Sequence, residues 1–98
     1  MQITKHAYEK AKQRLSWNKR TMNRMIPKVM ESGVDATEYA QGEFKKYIEN
    51  KVERYPSCDK IIVHGDVLFF ISKDSVVTLY RTPSSLIKYT KYITNKSE

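Results

Sequence analysis

His6, Lys10 and Arg14 follow one another at intervals of four residues, so on a helix they share one face. An imidazole takes or gives a proton near neutral pH. A lysine and an arginine beside it can hold phosphate oxygens and offset the negative charge that builds up when a phosphodiester is attacked. The row therefore suits phosphodiester chemistry. A solvated polar helix edge, with His6 bonded to nearby backbone, would give the same spacing without any chemistry. A second group lies near the other end of the chain. If Val77 and Leu79 face the helices, Thr78 and Tyr80 point the other way and Arg81 follows at the strand end. Hydroxyls and a guanidinium can bind phosphate or orient a ribose, although threonine and tyrosine are also ordinary strand residues.

These residues need elements to position them. Thr4 is placed to cap a first helix over residues 4–15, with Ile3, Ala7, Ala11 and Leu15 as a narrow apolar stripe. The His6 row then falls about 100° from that stripe, at the edge of whatever the stripe packs against. Ser16 or Asn18 caps a second helix over 19–32, buried through Met22, Met25, Ile26, Val29 and Met30, with Gly33 placed to stop it. Pro27 either kinks this helix or ends it early. Asp35 and Glu38 are spaced as a capping box for a third helix over 36–54. Its stripe is Phe44, Tyr47, Ile48, Val52 and Tyr55; Gly42 weakens its first turns and Pro56 closes it.

The period then changes to that of strands, at 60–64, 67–72 and 75–81, joined by "HGD" and "SKD". Both alternating sets in the second strand are apolar, so both faces of the sheet need cover. The helices can cover one face, and the tail 84–98, as a helix or an extension, can cover the other, unless a partner chain does. The expected fold is α+β, with two to three N-terminal helices on a three- to four-stranded antiparallel meander in a single domain spanning 1–98.

Charge narrows the function. The 98 residues carry a net charge of +7, and residues 1–30 hold eight Lys or Arg against the single acid Glu9. The remainder of the chain is therefore neutral. A field concentrated in this way attracts a polyanion. Lys5, Lys12, Lys19, Arg20, Arg24, Lys28 and Arg81 are the candidate nucleic-acid-binding residues, and the tail alternates Lys88 and Lys91 with Tyr89 and Tyr92, a basic-aromatic pattern that suits RNA or a surface helix. No apolar run is long enough to span a membrane. The basic N-terminus lacks the apolar block of a signal peptide, and the lone Cys58 suits a reducing cytoplasm, so a cytoplasmic location is expected. Cys58, His6 and His64 are too scattered for a metal site, and no cofactor motif is present.

The opening "ITKHAYEKAKQR", a second helix ending in glycine and the closing "VVTLYRTP" together resemble small proteins of the RelE-like (BECR) superfamily. The chain is also similar to small uncharacterised bacteriophage and prophage proteins that begin "ITKHA". The likeness runs from Ile3 to Pro83, with motif-like character at its two ends. It implies helices packed on an antiparallel sheet. Many members of the superfamily are ribonucleases, including toxins that cleave messenger RNA without a metal. Carried over, the opening histidine is His6 and the strand threonine is Thr78. The arginine expected four residues after the histidine is Lys10 here, and Arg14 comes one turn later. Lysine has no planar bidentate fork, so the resemblance carries the fold further than the catalysis.

Three functions are thus expected, in order. The first is a nucleic-acid-binding protein, RNA ahead of DNA, gripping phosphates through the first two helices. The second is a toxin-like, metal-independent ribonuclease with His6, Lys10, Arg14 and Thr78 as catalytic residues. The third is a phage-encoded inhibitor of a host protein, such as a defence nuclease or the transcription machinery, with the doubly apolar sheet and tail as its interface. A homodimer through the sheet or tail is a further expectation; a membrane partner is not expected.

Overall fold

The structure is a computed structural model that describes residues 1–96. Its elements are β1 (Gln2–Ile3), α1 (Lys5–Leu15), α2 (Lys19–Ser32), β2 (Val34–Asp35), α3 (Ala36–Tyr39), α4 (Gly42–Arg54), β3 (Lys60–His64), β4 (Val67–Ser72), β5 (Ser75–Arg81), a 3-10 turn (Ser84–Leu86) and α5 (Ile87–Lys96). The five strands form one mixed sheet in the order β1-β5-β4-β3-β2, in which β1 runs parallel to β5 and the other neighbours are antiparallel. The fold is α+β, as expected, with two more strands than the meander alone. None of the described helices is long and apolar enough to cross a membrane.

The doubly apolar β4 explains the layering. Val67, Phe69 and Ile71 join a core with Ala7, Ala11 and Leu15 of α1 and Met22, Ile26 and Val29 of α2. Leu68 and Phe70 join a second core with Ala36 of α3, Phe44 and Ile48 of α4, and Leu86 and Ile93 of the tail. Both faces that needed cover are covered by the chain itself, including those assigned to a partner interface.

Local chemistry sets the boundaries. Thr4 caps α1 by accepting a bond from the Ala7 amide at 3.1 Å, and Ser16 ends it in the left-handed region at φ 58°. Asn18 rather than Ser16 caps α2, accepting from Thr21 N at 2.8 Å. Pro27 does not end α2, which runs on to Ser32. Pro27 is exposed, and the carbonyl it leaves without a helical donor belongs to Asn23, which is exposed as well. Gly33 follows α2 in extended backbone, so its value is not a positive φ. A Cβ there would collide with the Ile62 side chain and the Val29 carbonyl.

Two details differ from expectation. The third helix is two helices: Ala40 and Gln41 are extended, and α4 starts at Gly42 with φ +58°, a conformation glycine adopts without steric cost. In β5 a bulge intervenes, because Phe70 pairs with Thr78 while Ile71 pairs with Val76. Val76, not Val77, therefore shares the α1–α2 core with Leu79, whereas Thr78 and Tyr80 face the other way.

Candidate functional site

Helix α1 lies along β5, and small side chains let it approach: Ala7 and Ala11 are fully buried against the sheet. Strand β1 pairs only with Ser75 and Val76, so the rest of the β5 edge needs other donors. The polar residues of α1 supply them. Thr4 Oγ1 lies 3.1 Å from the carbonyls of both Val76 and Val77. Arg14 Nη1 donates to the Leu79 carbonyl at 2.9 Å and to Thr78 Oγ1 at 3.3 Å.

Around Arg14 the structure gathers groups from three elements. The guanidinium carbon stands 4.0 Å from the centre of the Tyr80 ring, and Lys51 Nζ of α4 lies 4.6 Å from the same centre. His6 Nε2 is 3.4 Å from the Tyr55 hydroxyl, which also takes a 3.4 Å bond from the Tyr80 hydroxyl. Tyr47, one turn before Lys51, has the Lys51 ammonium 5.4 Å from its ring centre. Thr78 is fully buried and Tyr80 nearly so, while His6, Arg14, Lys51 and Tyr55 are half-buried.

Among the described residues the ion pair formed is Arg81–Asp66, at 3.5 Å on the exposed β4–β5 side. Among the described residues no carboxylate pairs with Arg14 or Lys51. Half-buried cations without a counter-charge make a receptor for an anion. The phenols respond to this setting. The hydrogen bond from Tyr80 lowers the pKa of Tyr55 below its usual 10.0 against the effect of burial, with Thr78 and Arg14 adding to the lowering. Burial raises Tyr80, as does its bond to Tyr55, with Arg14 opposing. Burial raises Tyr47, again against Arg14.

Of the expected catalytic set, His6, Arg14 and Thr78 come together. Lys10 does not: its ammonium bonds Gln13 Oε1 at 3.2 Å on its own helix. Lys5, Lys12, Lys19, Arg20, Arg24 and Lys28 are exposed on α1 and α2, with the Lys19 ammonium 5.3 Å from the Tyr8 ring centre. Tyr8 ties the two helices together through a 2.5 Å bond to Asn23 Oδ1. Arg81 is exposed and held by Asp66 rather than joined to the cluster. Cys58 is not activated, because burial and then Asp59 push its thiol up. No group of three or more His, Cys, Asp or Glu that could hold a metal occurs among the described residues.

Sequence reasoning placed Tyr80 beside Thr78 but missed Lys51 and Tyr55 as members of the cluster. The signal was present in the 47–51–55 spacing, where a lysine sits on an inward stripe between two tyrosines. Tyr47 and Tyr55 were expected on the apolar stripe and do pack, partly buried, against the second core, while the lysine between them marks the edge of that face as polar. Comparison with known proteins finds no family model, no curated protein and no solved structure that matches this chain.

Proposed function

We propose that this protein binds RNA, seating a backbone phosphate at Arg14 and Lys51 and gathering the strand with the exposed cations of α1 and α2. The observation that carries this reading is the half-buried Arg14 guanidinium, fixed by Thr78 and Leu79 and lacking a carboxylate partner among the described residues. Two of its five N–H donors go to these groups, which leaves donors for a ligand oxygen. RNA is favoured over DNA because hydroxyls and phenols stand beside the cations, where a ribose 2′-hydroxyl finds both donors and acceptors. The affinity should fall steeply with salt, since each neutralised phosphate releases counterions. Arg20→Ala with Arg24→Ala should flatten the slope of log K against log salt by about 1.4 on single strands. An unchanged slope removes α2 from the interface.

A second reading, a RelE-like metal-independent ribonuclease, is favoured by the contact between His6 and the acidified phenol of Tyr55. An imidazole and a phenol in contact beside cations can exchange a proton with a ribose hydroxyl or leaving oxygen. His6→Ala should then abolish cleavage of RNA in EDTA and keep most of the binding. Cleavage that survives the substitution refutes this assignment. The inhibitor reading keeps less support, because the apolar sheet faces given to its interface are filled by the chain's own helices.

A further inference from the structure

The break between α3 and α4 faces the tail helix, and between them lies a groove of about 320 Å³ lined by Tyr39, Gln41, Lys88, Tyr89, Tyr92 and Ile93. Its walls combine three phenol rings, one amide and one ammonium. Among the described residues the lining contains no carboxylate. Tyr89 is held flat against Phe44, with centroids 5.9 Å apart and an interplanar angle of 6°, so its ring is pre-set rather than free to turn. The Lys88 ammonium lies 5.3 Å from the Tyr89 ring centre. Tyr92 is 49% exposed. One fixed phenol ring and two further ones, with a cation and an amide beside them, are the composition that stacks and orients nucleobases.

The groove and the Arg14 centre belong to the same side of the sheet. Phe44, which supports Tyr89, opens α4, and Lys51 and Tyr55 lie at its other end. The ten residue steps from Gln41 to Lys51 correspond to about 15 Å at a helical rise of 1.5 Å per residue. A few nucleotides of extended single strand cover that distance. We infer that the Tyr39–Tyr89–Tyr92 groove is a nucleobase site, taking a base of the same single strand whose phosphate is seated at Arg14. This rests on the RNA-binding reading and adds a base-dependent component to it.

The test is fluorescence anisotropy with two labelled strands of equal length, an oligouridylate and an abasic ribose–phosphate strand. Both keep their ribose 2′-hydroxyls, and a denaturing gel after each titration checks that the strands remain intact. The wild-type protein should bind the base-bearing strand at least about fivefold more tightly, the low end of what one stacked base contributes. Tyr39→Ala with Tyr92→Ala should bring the two affinities together without changing that for the abasic strand. Tyr92→Phe alone, which keeps the ring, should keep the preference. Arg14→Gln should weaken both strands together. Equal affinities in the wild type, still lowered by Arg14→Gln, overturn the groove and leave the phosphate site standing. A preference that survives the double alanine variant also overturns it. Failure to bind either strand overturns both readings. Uridine monophosphate that saturably shifts the ring resonances of Tyr39, Tyr89 and Tyr92, without any strand preference, assigns the groove to a free nucleotide and overturns the strand.

Discussion

Arg14→Met isolates the work that the guanidinium does for the fold. Methionine keeps much of the aliphatic stem and removes both hydrogen bonds. The 2.9 Å bond to the Leu79 carbonyl is charge-assisted and contributes about 1.5–3 kcal/mol; the longer 3.3 Å bond to buried Thr78 contributes less. The contact with the Tyr80 ring adds roughly 0.5–1 kcal/mol at a half-exposed position. Two effects run the other way: a half-buried charge is returned to water, and its repulsion from Lys51 is relieved. The net loss should be about 2 kcal/mol, or a fall in Tm of roughly 10 °C for a chain of this size. Urea unfolding should show a lower midpoint at an unchanged m-value. Arg14→Lys should recover little, because an ammonium cannot reach both acceptors in the guanidinium geometry. A loss below about 0.5 kcal/mol for Arg14→Met would show that the β5 edge is not held by this side chain, and the anion site would lose its fixed centre.

Gly33→Ala should destabilise the chain by about 1–3 kcal/mol, because its Cβ meets Ile62 and the Val29 carbonyl. Gly65→Ala, at φ +63° with open space around it, should cost about 1 kcal/mol from backbone strain alone; equal losses in urea midpoints would contradict the packing argument. Tyrosinate difference absorbance should show one phenol ionising ahead of the rest, and Tyr55→Phe should remove that early step. Its pKa is lowered in the folded state, so its contribution to stability grows as pH rises from the folded value towards 10.0 and is complete above it. Tyr47 and Tyr80, raised by burial, act in the opposite sense and lose stability as pH climbs past 10.0. Lys51→Gln should weaken RNA binding several-fold more than Lys10→Gln at low salt, since Lys51 joins the cluster and Lys10 is tied to Gln13. Equal effects in a binding titration would return Lys10 to the site.

What the sequence displayed and what it hid follow from the range of the forces involved. The strands at 60–64, 67–72 and 75–81 were legible because Val, Ile and Phe alternate over whole elements between turn residues. The two-residue strands at Gln2 and Val34 were not, since a dipeptide has no period, and only the partner strand makes it a strand. The break before Gly42 was visible as a weakness, but its extended residues depend on how α3 and α4 dock. Likewise the bulge at Val77 leaves no local signature. His6, Arg14 and Thr78 could be grouped from one helical spacing and one strand. Lys51 and Tyr55 share a helical spacing with Tyr47, but their meeting with His6 and Arg14 exists only once α4 lies against the sheet.

The pairing of α1 with β5 has a consequence for how the molecule is made. Thr4 bonds to residues 72 and 73 positions later, and Arg14 to residues 64 and 65 positions later. Contacts of such sequence separation close late, after the entropy of a long loop has been lost. During synthesis, α1 and α2 emerge with their cations while the strand that completes the anion centre is still inside the ribosome. The nascent chain thus presents a basic hairpin of helices with an unfinished site, and the centre assembles only as β5 leaves the exit tunnel. A cluster closed by β5 stays incomplete until that strand has emerged, beside the densest RNA in the cell.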